Sequence, residues 1–289
     1  MTEDTKPFVK IIIASHKKYQ MPQDPMYLPV HVGAAGKLGK DGKPLDIGYV
    51  KDNTGQNISD KNSEFSELTG LYWAWKNVDA ANLGLAHYRR HFSFRKKSSD
   101  PFENVLTSKE ASRLLHQYKV IVPKKRNYVI ETLYSHYAHT HYAEHLDITR
   151  KIIAQKYPDY VQDFDQVMGH REGYMFNMFI MRRDLVDAYC QWLFDILFEL
   201  EKQIGPKTAL EKQIGPKTAK MDNFQKRLYG RVSEIAFNVW LRHEVRTSVL
   251  KASDIKEVRC IYMEPIDWGR KISSFIKAKF FGQKYDKSF

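Results

Sequence analysis

The chain has 289 residues, enough for one large domain or two smaller ones with a sizeable core. Its 46 lysines and arginines outnumber its 34 aspartates and glutamates, and the formal charge of +12 favours anionic partners such as phosphorylated small molecules or lipid headgroups. The sequence has no arginine-rich arm, zinc-finger spacing or ribonucleoprotein aromatic signature, so we expect no nucleic-acid partner.

The cysteines and the first residues bear on the compartment. Cys190 and Cys260 are too few for a disulfide framework or a thiolate metal site, which predicts a reducing cytoplasm. Acidic residues stand near the start, where a signal peptide would be basic, and no window of 18 apolar residues occurs. We therefore expect a soluble or peripheral protein.

The first part of the chain alternates apolar runs with polar segments. Residues 8–16, FVKIIIASH, predict a buried parallel strand, and residues 27–33 predict a second extended piece. Residues 38–62 are rich in Gly, Asp and Asn and predict an exposed loop. Residues 63–78, SEFSELTGLYWAWKNV, carry apolar side chains at helical spacing after a capping serine, which predicts one helix.

Further elements continue this alternation. Strands are predicted at 82–90, 119–125 and 173–183, and helices at 127–157 and 184–203. Such alternation predicts an α/β fold with a mainly parallel central sheet covered by helices on both faces. Because ligands of parallel sheets bind at the carboxyl ends of the strands, we expect four cationic or hydrogen-bonding residues there: His16, His87, Arg89 and Arg90.

Two features stand out in the C-terminal part of the chain: a surface loop within the predicted domain at 1–245, and a tail that follows this domain. The decapeptide LEKQIGPKTA occurs twice in tandem, at 200–209 and 210–219, and is interpreted as a duplicated surface loop without function. Residues 246–289 are interpreted as a tail, in which apolar residues share a helical face and lysines predominate around it. This pattern suits a helix in the interface of an anionic membrane, or equally a terminal helix docked on its own core.

Several common sites are absent from the sequence. No GxGxxG follows the first strand, and no GxxxxGK[ST] or GxSxG occurs, which argues against dinucleotide, P-loop and α/β-hydrolase enzymes. Four histidines in SHYAHTHYAEH could hold a metal at helical spacing, but HExxH is missing and the polar lining of a cleft is preferred. They are His136, His139, His141 and His145.

The HYRR segment at the end of a strand is the strongest remaining signal. Two arginines and a histidine could bind a pyrophosphate and neutralise a departing diphosphate. The alternative is a structural network in which Arg89 and Arg90 pair with acidic side chains.

Five blocks of the sequence form an ordered set: EFSELTGLYWAWKN, LGLAHYRRHF, VPKKRNYVIETLYSHYAH, YMFNMFIMRRDLVDAYCQWLFDILFELE and GRVSEIAFNVWL. In this order they resemble the bacterial family of capsular and exopolysaccharide biosynthesis glycosyltransferases long catalogued as a domain of unknown function. The resemblance implies a GT-A-like nucleotide-sugar-binding domain. It also implies transfer of a sugar, for which we expect galactopyranose or galactofuranose, from a UDP-sugar to a lipid-linked oligosaccharide at the inner face of the cell membrane.

The resemblance also raises the question of a metal. Most GT-A enzymes hold Mn²⁺ or Mg²⁺ with an Asp-x-Asp at the strand that meets the donor, whereas this chain has HYRR there. The DFD at 163–165 follows no apolar strand and is not assigned that role. This departure puts dependence on Mn²⁺ or Mg²⁺ in doubt, so no metal ligand is assigned, and we expect Arg89, Arg90 and His87 to do part of the metal's electrostatic work.

Position within the family pattern assigns further donor residues. His16 and Lys17 follow the first strand, where such proteins hold the base and ribose; the alternative is a solvated strand end. Asn57 and Asn62 lie in a segment that could cover the donor; the alternative is a plain Asx-rich loop.

An inverting transfer needs a carboxylate that removes a proton from the acceptor hydroxyl. The family pattern favours Glu234, with Arg231 beside it for phosphate or acceptor contact, and Glu172 and Asp147 follow as runners-up. Glu234 could instead be a glutamate that opens the helix EIAFNVWL. A noncatalytic carbohydrate-binding or assembly component of the polysaccharide machinery remains the alternative function.

Overall fold

The computed structural model describes residues 8–96, 98–205, 225–265 and 267–282. The chain forms two compact units. Unit 1 contains the described residues up to Lys124, with Phe176–Cys190 and Leu250–Glu264. Unit 2 contains Lys125–Met175, the described residues of Gln191–Val249 and those from Pro265 onward.

The strands are β1 Val9–Ser15, β2 Tyr27–His31, β3 Val50–Lys51, β4 Asn82–His87, β5 Arg90–Ser93, β6 Val120–Pro123, β7 Arg126–Asn127, β8 Glu172–Gly173, β9 Phe179–Arg182 and β10 Ile255–Tyr262. The helices are α1 Asn62–Phe65, α2 Leu68–Asn77, α3 Ser108–Leu115, α4 Leu133–Thr140, α5 Glu144–Lys156, α6 Val161–Gly169, α7 Arg183–Ile204, α8 Leu228–Arg246 and α9 Trp268–Phe281. The α/β prediction is confirmed.

The main sheet belongs to unit 1 and is mixed, so the prediction of a mainly parallel sheet is wrong. Its order is β3-β2-β1-β4-β5-β10-β6-β9, and β9 also pairs with β4, which closes a ring of five strands. Strands β3, β2, β1 and β4 are parallel neighbours, whereas β5 and β9 run antiparallel to β4. The short turn between His87 and Arg90 accounts for β5, because it reverses the chain into a hairpin, whereas β9 is antiparallel through its pairing with strands far away in the sequence.

The side chains of β1 and β4 fit the places of these two strands in the sheet. Ile11, Ile12 and Ile13 in β1 are all fully buried, as expected for a strand covered on both faces. Gly84 in β4 lets a neighbouring strand approach closely, since a Cβ there would lie 2.8 Å from the Phe179 carbonyl oxygen of β9. The missing side chain thus permits the closure of the ring.

The predicted helix at 63–78 is two helices, α1 and α2, because the backbone turns at Ser66, where φ is +53°. The loop before it is held by the fully buried Asp52. That carboxylate accepts hydrogen bonds from the backbone N–H groups of Gly33 and Ala34 and from the Thr69 hydroxyl. The loop is therefore anchored rather than loosely exposed along its whole length.

Unit 2 is mainly helical, and α6 packs against α8. The helix predicted at 127–157 is divided into α4 and α5, because the backbone is extended at His141, with φ −134° and ψ −157°. The first residue of the predicted helix, Asn127, lies in β7, which pairs antiparallel with β8. Helix α7 is one residue longer at each end than the predicted 184–203.

Two boundaries differ from the sequence interpretation. Residues 255–262 of the interpreted tail form β10, a strand of the main sheet, and within the described part of the tail the helix that follows is α9. Strand β10 alternates weakly between exposed and half-buried positions, so its apolar signal is low. The first copy of the decapeptide begins inside α7, with Leu200 fully buried, and the rest of the duplicated segment lies outside the described residues.

Within the described ranges, none of the helices combines the length and apolar character needed to cross a bilayer.

Candidate functional site

Strands β1 and β4 are parallel neighbours, with Ala14 opposite His87, so their carboxyl ends lie side by side. Beyond these ends the rings of Tyr19 and Tyr88 stack with centroids 4.1 Å apart. The ring of His16 meets Tyr88 edge-on at 5.5 Å, and Lys17 Nζ lies 4.9 Å from the Tyr19 centroid. The structure thus groups His16 and Lys17 with the segment that follows His87.

His87 is held at the end of β4 by a neighbouring loop. Its Nε2 donates to the Phe176 carbonyl oxygen at 2.5 Å. Burial lowers the pKa of His87, and this effect exceeds the opposing attraction of the Glu67 carboxylate, so the ring is neutral at pH 7. A neutral His87 can orient a ligand by hydrogen bonding, whereas the cationic charge of the site comes from arginine.

Glu67 lies at the start of α2 and binds the same loop. Its Oε1 accepts a hydrogen bond of 2.6 Å from Nδ2 of the nearly buried Asn177. Three non-glycine residues beside these contacts have left-handed backbones: Ser66 at φ 53°, Phe176 at φ 76° and Asn177 at φ 53°. Such conformations cost energy and concentrate at functional sites, where surrounding contacts hold them.

Arg89 and Arg90 occupy different environments on the hairpin that joins β4 to β5. Arg89 Nε lies 2.9 Å from Glu264 Oε2, and the two side chains are 39% and 44% exposed. The Arg90 guanidinium carbon lies 4.4 Å from the Phe176 centroid and 5.3 Å from that of Tyr262. Glu264 is thus an acidic partner of Arg89, which still faces solvent enough to contact a ligand.

Asn57 and Asn62 make local bonds. The exposed Asn57 accepts from the Ser59 N–H at 3.2 Å and donates to the Gly55 carbonyl at 2.9 Å. Asn62 Nδ2 donates to the Ser66 carbonyl at 2.7 Å and to Thr69 Oγ1 at 3.1 Å. These contacts favour the plain Asx-rich loop, and a donor role for either residue stays a prediction.

In unit 2, Arg231 and Glu234 lie within α8. This helix begins at Leu228, so Glu234 does not open it. Both charges act on the buried Tyr137, whose hydroxyl is 3.1 Å from His145 Nδ1. Burial raises the pKa of Tyr137 above its usual range, and the Arg231 charge opposes this effect. Glu234 and Arg231 therefore face a cluster of polar groups inside unit 2.

The two alternative bases make surface contacts instead. Glu172 is exposed, and its Oε1 lies 2.9 Å from Lys125 Nζ. Asp147 is exposed on α5 and accepts a hydrogen bond of 2.9 Å from the Tyr134 hydroxyl. Neither carboxylate has the partly buried surroundings of Glu234.

The side chains considered for a metal are engaged elsewhere. His136 and His139 both bind the buried Glu131, with Nδ1 to carboxylate distances of 2.8 and 2.5 Å. Asp163 of the DFD accepts from Arg246 at 2.9 Å. Across residues 8–96, 98–205, 225–265 and 267–282, no group of three or more His, Cys, Asp or Glu could hold a metal ion. The described strand end does not fit a divalent metal, and metal independence stays a prediction.

Asn177 and Phe176 were not identified from the sequence, which predicts a strand over 173–183. Strand β9 begins only at Phe179, and the residues before it form the loop that binds His87 and Glu67. The one feature of the sequence that could have indicated this loop is the polar residue Asn177 inside an apolar run.

Comparisons with known proteins agree with the resemblance of the sequence motifs. A model of the family described as Domain of unknown function (DUF4422) matches residues 10–245. A solved structure described as the apo structure of the bifunctional glycosyltransferase WbbM matches with a TM-score of 0.77 and 28% identity over 89% of this chain. The match covers 46% of that protein, so this chain spans about half its length. A search of curated proteins returned no match.

Proposed function

Because the chain belongs to the DUF4422 family, we propose that it is a glycosyltransferase that uses a nucleotide sugar. The observation that carries this proposal is the likeness to a bifunctional glycosyltransferase, at 28% identity, over 89% of the chain. The four parallel strands β3, β2, β1 and β4 of unit 1 support a GT-A-like donor fold in that half of the sheet. The noncatalytic alternative would share this fold and bind the donor weakly or not at all.

Unit 1 is the proposed site for the donor diphosphate. Arg89 supplies an accessible positive charge, and a guanidinium matches phosphate oxygens with paired hydrogen bonds. As the bond between the sugar and the diphosphate breaks, negative charge develops on the departing nucleoside diphosphate, and Arg89 would stabilise it. His87 and Arg90 shape the same hairpin, with Glu67 and Asn177 holding the neighbouring loop. No step of this proposal requires a metal ion.

The remaining assignments are proposals of finer detail. Glu234 is our choice for the base that removes the acceptor proton in an inverting transfer, with Arg231 beside it. UDP-galactose is the first donor to try, and a lipid-linked glycan at the inner membrane face is the proposed acceptor. Membrane contact through the C-terminal segment, and a place in capsular or exopolysaccharide synthesis, belong to the same proposal.

The test begins with binding. In a thermal-shift screen against UDP-, GDP- and CDP-sugars, the sugars of one nucleotide class should raise the melting temperature of the protein, because a ligand that binds the native state stabilises that state. Arg89→Gln should weaken binding of the matching nucleoside diphosphate roughly tenfold to a hundredfold, since one charge-assisted hydrogen bond is lost. Arg95→Ala is the matched control, because its side chain is 72% exposed and lies beyond β5 in the same unit.

The outcomes separate the two functions. Binding followed by release of nucleoside diphosphate from the donor supports a transferase. If no nucleotide sugar changes the melting temperature, the noncatalytic alternative replaces it. Loss of turnover with EDTA that manganese restores would overturn the metal-independent role of Arg89.

A further inference from the structure

Unit 2 presents two large aliphatic side chains on a strained turn between β7 and α4. Val129 and Ile130 are 67% and 60% exposed. Val129 has φ +60°, a conformation that is rare for a β-branched residue. The Ile130 N–H donates to the Tyr128 carbonyl at 2.6 Å, which makes the turn a tight three-residue one.

Neighbouring groups hold this turn in place. Asn127 Oδ1 accepts from the Val129 N–H at 2.7 Å, and Arg171 Nη1 donates to the Val129 carbonyl at 3.1 Å. The backbone is therefore fixed while its apolar side chains project into solvent. A strained turn kept in this way indicates a function for the exposed side chains.

Helix α9, also in unit 2, exposes a second apolar group. Ile276, Phe280 and Phe281 are 42%, 68% and 76% exposed. The helix docks on α4 with other residues, because Ala278 is buried and the Phe275 ring lies 6.1 Å from the ring of His136. Docking therefore leaves large apolar side chains of α9 uncovered.

The exposed turn and the exposed part of α9 meet at Glu131 and His136. The Tyr128 ring, at the start of the turn, lies 4.1 Å from His136, which also faces Phe275. Lys279 Nζ, next to Phe280, lies 3.9 Å from an oxygen of Glu131, next to Ile130. The two apolar groups thus adjoin one another, and we call them together the apolar surface (Val129, Ile130, Ile276, Phe280 and Phe281).

The charges around the apolar surface favour one kind of partner. Arg126, Arg171, Lys277 and Lys279 lie beside it on β7, before β8 and on α9. The nearby Glu131 is 2% exposed and bound to His136 and His139, so its negative charge is withdrawn from the surface. Glu172, the exposed carboxylate next to Arg171, is paired with Lys125. Cations therefore predominate beside the apolar side chains, which matches an anionic lipid bilayer, whose headgroups attract lysine and arginine.

We propose that the turn at 128–130 and helix α9 together form a docking surface for an anionic membrane, with both elements inserting apolar side chains. This assignment adds a second inserting element to the membrane contact expected of the C-terminal segment. The proposal rests on the proposed function in one respect only: docking would bring a glycosyltransferase to a lipid-linked acceptor in the membrane.

The test measures partition of the full chain onto vesicles by co-sedimentation. Wild-type protein should bind an equimolar mixture of phosphatidylcholine and phosphatidylglycerol and bind phosphatidylcholine alone weakly. Val129→Ser with Ile130→Ser should reduce partition roughly tenfold, and Phe280→Ser with Phe281→Ser should do the same, because buried apolar area is lost. Val249→Ser is the matched control, since Val249 is an exposed valine, at 55%, elsewhere in unit 2.

Each alternative result contradicts the proposal in a definite way. If the variant with Val129→Ser and Ile130→Ser binds vesicles as well as the wild-type protein does, helix α9 acts alone and the turn has no part in docking. Concentration-dependent dimerisation that the same substitutions abolish, without vesicle binding, would assign the surface to a second copy of the chain. Nucleotide binding measured without vesicles should be unchanged in all variants, so a failure of the proposed transferase activity would be seen separately.

Discussion

The loop that carries Asn177 should depend on the side-chain hydrogen bond between Asn177 and Glu67, at the start of α2. Asn177 is 3% exposed, and its Nδ2 donates at 2.6 Å to Glu67 Oε1. Replacing Asn177 by glycine removes this bond yet suits the backbone at φ 53°, because glycine has no Cβ to clash in the left-handed region. The substitution Asn177→Gly therefore isolates the contribution of the side chain.

The expected cost follows from the type of bond. A hydrogen bond to a charged group contributes about 1.5–3 kcal/mol. The greater freedom of glycine in the unfolded chain lowers stability by about 0.5–1 kcal/mol. This loss is roughly offset because glycine removes the backbone strain of an asparagine in the left-handed conformation. The free energy of unfolding should fall by about 2 kcal/mol, which lowers the melting temperature of a chain of 289 residues by about 3 °C. Calorimetry and urea denaturation both measure this change.

A double-mutant cycle identifies the partner. Glu67→Gln with Asn177→Gly should show a coupling of about 1 kcal/mol or more, because both changes affect the same bond. Asn53→Gly, at an exposed position of the same unit, should lower stability only by the about 0.5–1 kcal/mol that the freedom of glycine in the unfolded chain costs. Additive effects in the cycle, or an unchanged melting temperature for Asn177→Gly, would refute a role of this bond in holding the loop.

Three further substitutions test the fold and the site. Gly84→Ala should lower stability by about 1–3 kcal/mol in urea denaturation, because its Cβ would lie 2.8 Å from the Phe179 carbonyl oxygen. Burial, aided by the nearby His87, lowers the pKa of His91 from 6.5 to about 3, and neither ring nitrogen has a partner in the described residues. The unfolded state therefore binds more protons below pH 6.5, and stability should fall by about 2 kcal/mol from pH 7 to 5 through this residue, a slope that His91→Phe should remove. Glu234→Gln should lower the transfer rate with little effect on donor binding, and a full rate would exclude it as the base.

The sequence predicts those parts of the fold that have a local signal. Strand β1 is a continuous buried run, and α7 has helical spacing over its whole length, so both are found close to their predicted bounds. The mixed character of the sheet depends instead on which distant strands pair. Strand β10 joins β5 and β6 from far along the chain, and its exposed and half-buried positions give little apolar pattern.

The same distinction applies to the candidate site. His87 could be placed at a strand end because an apolar run stops there, and the rule for parallel sheets then assigns it to the ligand edge. The bond between Glu67 and Asn177 joins residues 110 positions apart, and nothing in either neighbourhood predicts the other. Left-handed backbones at Phe176 and Asn177 are likewise imposed by tertiary contacts rather than by glycine in the sequence.

The pairing of Arg89 with Glu264 suggests why an arginine at this position need not act as a permanent structural cation. The two groups are 39% and 44% exposed, and a surface ion pair of this kind contributes only about 0–1 kcal/mol. A diphosphate, with more negative charge than one carboxylate, could therefore displace Glu264 from the guanidinium. If so, Glu264→Gln should remove a competitor and strengthen binding of the nucleoside diphosphate by up to about fivefold. Titration calorimetry should show this gain in the wild-type background and none in Arg89→Gln; weaker binding by Glu264→Gln would mean that the carboxylate orients Arg89 for the ligand instead of competing with it.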